Sequence, residues 1–178
     1  MARRVSVALC LLGAAGSLAC TPPATHGALK LDLHNNRATV HGDLAFGETV
    51  DPAWATEQGI RCFEAEVAAQ FAGHNVFFEV RNSPPDSTLK ATVSGGGLDL
   101  GLYAYSIDLG EELTLPPDVS SVRDCGSSTD PLPDLADPLA APVELRVPAE
   151  AITVILGVAG AEGVVKGEFT LDIEAIFP

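Results

Sequence analysis

Two constellations in the chain hold residues able to do chemistry. The first is an aromatic pair, Tyr103 and Tyr105, in the stretch Gly95-Gly96-Gly97-Leu98-Asp99-Leu100-Gly101-Leu102-Tyr103-Ala104-Tyr105. Leu98, Leu100, Leu102 and Ala104 alternate with Asp99, Gly101 and the tyrosines, which is the period of a strand with one buried face. The tyrosines then share the outer face, where neighbouring rings can bind a sugar or an extended peptide at low entropic cost. The alternative is cover: Leu113, Leu115, Leu132 and Leu135 in the following segment need a surface to lie on.

The second constellation is acidic. Asp108, Glu111, Glu112, Asp118, Asp124, Asp130, Asp134 and Asp137 fall within thirty residues, opposed only by Arg123. Ca²⁺ takes about six to eight carboxylate and carbonyl oxygens. Asp118, Asp124, Asp130, Asp134 and Asp137 are the ligands this loop would offer it, and a solvated acidic loop is the alternative. The spacing fits no EF-hand. Two further ideas are weaker. His34 and His41 flank Asn35-Asn36 and could form half a metal site, or be polar neighbours of a turn. The 24 acidic residues would also permit a carboxylate pair for glycoside hydrolysis. No G-x-S-x-G elbow, HExxH, CxxC, dinucleotide fingerprint or P-loop occurs. The expectation is a chain without catalysis or a fixed cofactor beyond the Ca²⁺ option, with a small hydrolase using loop carboxylates, or a purely structural protein, as the alternatives.

The N-terminus reads as an address. Arg3 and Arg4 precede the apolar run Val5–Ala19, too short to span a bilayer and flanked as a secretory signal is. The run ends Ser17-Leu18-Ala19-Cys20, which resembles the lipobox of bacterial lipoproteins, although the leucine stands one place later than that family usually has it. The resemblance implies a signal peptide over 1–19, lipid on Cys20 and a Pro-rich tether over 20–28. It also implies the outer membrane, since Thr21 is not the Asp that marks lipoproteins kept at the inner membrane. Two or three acyl chains, at about 0.8 kcal/mol per buried CH₂, anchor stably where one is marginal. The alternative is ordinary signal cleavage, with Cys20 an unpaired thiol. Cys62 and Cys125 then remain, and in an oxidising compartment they are expected to form one disulfide. Without a CxxC or a nearby His pair they would make a poor zinc cage.

Composition narrows the partners. The net charge is −14, and loss of the leader's two arginines makes it −16. Such a chain repels phosphate backbones, so nucleic acid is not an expected partner. Thirteen prolines and seventeen glycines punctuate short apolar runs, the mark of an all-β protein. Alternation predicts strands at Leu29–His34, Ala38–Gly42, Arg61–Phe71, His74–Arg81, Leu89–Val93, Leu98–Ala104, Val143–Val147, Ile152–Val158 and Val165–Ala175. Cys62 would lie on the solvent side of its strand, and Trp54 would lie over one end of the core. Gly160–Gly163 reads as a hairpin turn. In the last strand Val165, Phe169, Leu171, Ile173 and Ala175 face inward. About eight or nine strands imply two packed antiparallel sheets, a jelly-roll-like β-sandwich over 29–178 with a long loop at 110–142.

In order, His41-Gly42-Asp43-Leu44, Arg61-Cys62-Phe63, Gly97-Leu98-Asp99-Leu100-Gly101-Leu102-Tyr103, Val154–Val158 and Gly163–Ile173 resemble the bacterial pre-peptidase C-terminal domain, a β-sandwich module appended to secreted proteases. The second aspartate of that family's signature strand is missing, and no protease domain precedes the module. The resemblance implies an accessory or binding role outside the cytoplasm, sometimes with calcium or an extracellular polymer, and no catalysis. The expected partners are therefore the membrane, through the lipid, and an envelope protein or polymer.

Overall fold

The computed structural model describes residues 27–56, 62–63, 65–108, 110–119, 122–128, 143–147 and 152–178. The expected leader and most of the tether lie outside these residues, as does the loop from 129 to 142. Among these residues ten strands form two facing sheets, so the fold is an all-β sandwich. They are β1 (Leu29–Asp32), β2 (Arg37–Asp43), β3 (Glu48–Thr49), β4 (His74–Arg81), β5 (Ser87–Ser94), β6 (Leu100–Asp108), β7 (Asp124–Ser127), β8 (Val143–Val147), β9 (Ile152–Gly160) and β10 (Glu168–Ile176). One sheet has six strands in the order β1-β4-β9-β6-β7, with β3 also on β4; the other runs β2-β10-β5-β8. Every pairing is antiparallel except β1 with β4.

Period 2 decides what enters the space between the sheets. On β10, Phe169, Leu171, Ile173 and Ala175 are buried, with Leu171 directly between Val40 and Val93. Leu89, Ala91 and Val93 of β5 join them, and Val76, Phe78 and Val80 of β4 meet them from the opposite sheet. Each large apolar side chain so buried contributes about 1.5–3 kcal/mol. Val165 does not belong to this set: it precedes β10 and is 45 % exposed.

β6 and β9, in the middle of the six-stranded sheet, are buried on both faces. Behind β4, β6 and β9 lies a second cluster containing Trp54, Phe63, Phe71, Tyr103, Tyr105, Ile107, Ile155 and Ala159. A cover of short 3₁₀ turns, Pro52–Ala55 and Ala65–Phe71, forms its roof. The expected strand over Arg61–Phe71 is thus a correction. Ala65-Glu66-Val67-Ala68-Ala69-Gln70 consists mostly of helix formers, and a helical turn lays Phe71 across the sheet where another strand could not pair. Cys62, expected at the surface, is buried within this roof. Trp54 covers the back of the six-stranded sheet rather than an end of the sandwich core.

Gly160–Gly163 is a second correction. β9 and β10 lie in different sheets, so the segment is a corner between them and not a hairpin. Most successive described strands change sheets in this way. Asn35 and Asn36 take the left-handed φ of 53° and 65° that a two-residue turn demands, and His34 bridges Arg37.

Candidate functional site

Tyr103 and Tyr105 do point away from the sandwich core, as alternation requires, but they offer no ligand surface. Both are buried under the roof, at 1 % and 0 % exposure. Trp54 stands 5.7 Å from Tyr103 and 5.9 Å from Tyr105, and Phe71 meets Tyr103 edge-on at 5.7 Å. The Tyr103 hydroxyl donates to Asn75 Oδ1 at 2.9 Å, and Asn75 Nδ2 donates to the carbonyls of Gly73 and Phe71. The Tyr105 hydroxyl donates to the Thr114 carbonyl at 3.1 Å. Burial pushes both phenols above their ordinary range. The cover therefore comes mainly from Val50, Trp54, Ala55, Cys62, Phe63 and Phe71, with Leu115, Val119 and Val122 of the following segment adding to it.

Cys62 and Cys125 are joined by a disulfide, with Cα atoms 5.1 Å apart. It ties the roof to β7, the edge strand beside Tyr103 and Tyr105. Of the proposed calcium ligands, Asp118 and Asp124 are exposed; Asp130, Asp134 and Asp137 lie outside the described residues, as does Cys20. Among the described residues no three His, Cys, Asp or Glu side chains come together as a metal group. Arg123 closes on Asp108 at 2.9 Å. His34 and His41 are not paired across their turn. His34 opposes Arg37, so His41 lies four residues further along β2, about 13 Å away at the rise of a strand. His41 Nδ1 is instead 3.1 Å from Thr170 Oγ1.

A groove that can receive a ligand was not singled out from the sequence. It is an open groove of about 1270 Å³ beside β2. One wall is Val40–Asp43 of β2 with Glu168–Thr170 of β10, and the facing wall is Leu29 with Val76–Phe78. Phe46–Glu48, Gly95–Gly97 and Leu113–Asp118 also line it. Gly42 has no side chain, and the tip of the Phe169 ring stands where a Cβ would be. That ring meets Phe78 edge-on at 6.2 Å across the two sheets. The rim is acidic. Asp43, Glu48, Asp118 and Glu168 line the groove, and no Lys or Arg among the described residues does.

Asp43 also holds this end of β2 in place. Its Oδ1 accepts from Ala45 N at 2.8 Å and Gly167 N at 2.9 Å, and Leu44 N donates to the Gly167 carbonyl. Those two amide donors, with Lys166 nearby, hold its carboxyl below the usual range. The sequence carried one sign of this site, the small Gly42 at an inward position of an otherwise alternating strand.

Compared with family models, curated proteins and solved structures, the chain matches none of them. The likeness to the pre-peptidase C-terminal domain therefore rests on its motifs alone.

Proposed function

We propose that the chain is a non-enzymatic binding module of the bacterial cell envelope, anchored by lipid on Cys20 and directed to the outer membrane, which holds an extracytoplasmic protein or polymer beside β2. The groove carries this reading. It is open and lined by apolar residues together with several carboxylates, the make-up of a surface that takes a partner. The Ser17-Leu18-Ala19-Cys20 leader supports the address, and the −14 charge disfavours nucleic acid.

Two measurements test it. The wild-type protein should partition into detergent with an acylated N-terminus by intact mass, and Cys20→Ser should release it; a mature chain without acyl addition defeats the anchor. A photo-crosslinking residue at Thr170, within the groove, should capture an envelope component in intact cells. The same residue at Val165, exposed but outside the groove, should not. Equal labelling from both positions would defeat the binding site.

A further inference from the structure

Part of the groove's lining, Val40–Asp43, belongs to a strand that is only half used. Among the described residues, β2 pairs with β10 on one side and, beyond the His34–Arg37 bridge, with nothing on the other. A strand edge presents main-chain donors and acceptors that an extended chain can take up. Side chains of such a chain alternate between two faces. Along Val40–Asp43, one face looks between the sheets toward Phe169 and Phe78, and the other looks toward the side of Asp43 and Glu168. Seven basic side chains belong to the described residues, and none of them lines this groove. A second copy of the chain is a poor occupant, because it would bring one acidic rim against another.

Resting on the reading of the groove as a binding site, we propose that the free edge of β2 receives an extended peptide in which apolar residues alternate with lysine or arginine. The apolar residues lie against Leu29 and Val40, apolar side chains of the lining that are only partly covered. The cationic residues lie among Asp43, Glu168 and Asp118. The main chain continues the four-stranded sheet. Charge complementarity sets the direction of the preference, and the period of a strand sets the spacing.

The test uses synthetic peptides of about eight residues, long enough to lie along the seven-residue β2. One alternates valine and lysine, a second has the same composition in two blocks, and a third alternates valine and glutamate. The alternating lysine peptide should bind, shift the amide resonances of Val40, His41 and Gly42, and lose affinity as salt rises. Glu168→Lys should weaken it about tenfold, and Asp118→Lys, on an exposed loop where folding is not at stake, should weaken it too. Equal binding of the glutamate peptide or of the blocked peptide, perturbations away from β2, self-association at β2 or no binding would each overturn the proposal. If Thr170 still crosslinks an envelope component in cells while the peptides fail, the ligand class is wrong and the binding module stands. If both fail, both are wrong.

Discussion

The hydroxyl of Tyr103 and the amide of Asn75 satisfy one another where both are buried. Tyr103→Phe leaves Asn75 Oδ1 buried without its donor, and should cost about 1–3 kcal/mol in denaturant unfolding. The two rings also set the alkaline limit. They are the only tyrosines in the sequence, and burial raises both phenols. The unfolded chain ionises them near pH 10 while the folded one keeps them neutral, so stability is full below that pH and falls as pH rises above it. The slope is about 1.4 kcal/mol per pH unit for each ring. Absorbance of tyrosinate should therefore stay absent beyond pH 10 and then rise in one step with unfolding. A gradual rise in the folded protein would contradict the burial. Asp43 acts with the opposite sign. Its carboxyl is lowered by the Ala45 and Gly167 amides, so its contribution is present above the unfolded carboxylate range and lost as pH falls through that range and below. Asp43→Ala should cost about 0.5–2 kcal/mol, as for a lost helix cap. Its acid-unfolding curve should be shallower than that of wild type.

At the scale of elements, β10 gives the plainest test. Leu171 is fully buried between Val40 and Val93, and truncation to Ala should cost about 2–5 kcal/mol through the cavity it leaves. Its neighbour Asp172 accepts from Thr39 Oγ1 at the surface, and its replacement by Ala should change stability by about 0.5 kcal/mol or less. If the costs were reversed, the inward face would be wrong. β5 and β10 were legible in the sequence because each has one apolar face and one that meets water; β4 alternates too, although Asn75 and Phe77 on its other face lie against the second cluster. β9 carried more than was read from it. Val154, Leu156 and Val158 face the sandwich core, but Ile155, Gly157 and Ala159 between them are apolar as well. An uninterrupted apolar run signals a strand covered on both faces. Followed through, it would have placed Tyr103, which sits opposite Gly157, under cover. Alternation gives the face on which a ring lies but is silent on what lies above it. That is why the direction of the tyrosines was readable and their exposure was not. The roof itself was illegible for a different reason. Phe63, Ala65 and Val67 alternate like a strand by coincidence, and tertiary contact with β6 and β9 decides for a 3₁₀ turn.

At the scale of the molecule, two apolar layers share one sheet, and the disulfide fastens the outer layer to its edge. Cys62 and Cys125 are 63 residues apart. The chain-entropy model puts the cross-link at about 4 kcal/mol, and Cys125→Ala should lower unfolding stability by an amount approaching that. The loss should fall first on the roof, since Cys62 belongs to it, while the pairing of β10 with β2 and β5 persists. Hydrogen exchange would check the order. Amides of β10 should stay protected in the variant at times when those of Ala65–Phe71 have exchanged. The edge of β2 belongs to the other sheet from β7, so peptide or crosslinker results at β2 and β10 should survive the loss of the disulfide.

Trp54 is the single tryptophan of the chain, and both tyrosines stand within 6 Å of it. Excitation absorbed by either phenol passes to the indole at such range, so the intrinsic fluorescence of the whole protein is the light of one spot in the roof. A denaturation curve followed by emission is then a curve for the roof. Circular dichroism, weighted by the strands of both sheets, follows the sandwich. Coincidence of the two curves would mean that the layers unfold together, and an earlier emission change would mean that the roof lifts first. A dye or a second tryptophan on β10 would be needed to watch the core itself by emission.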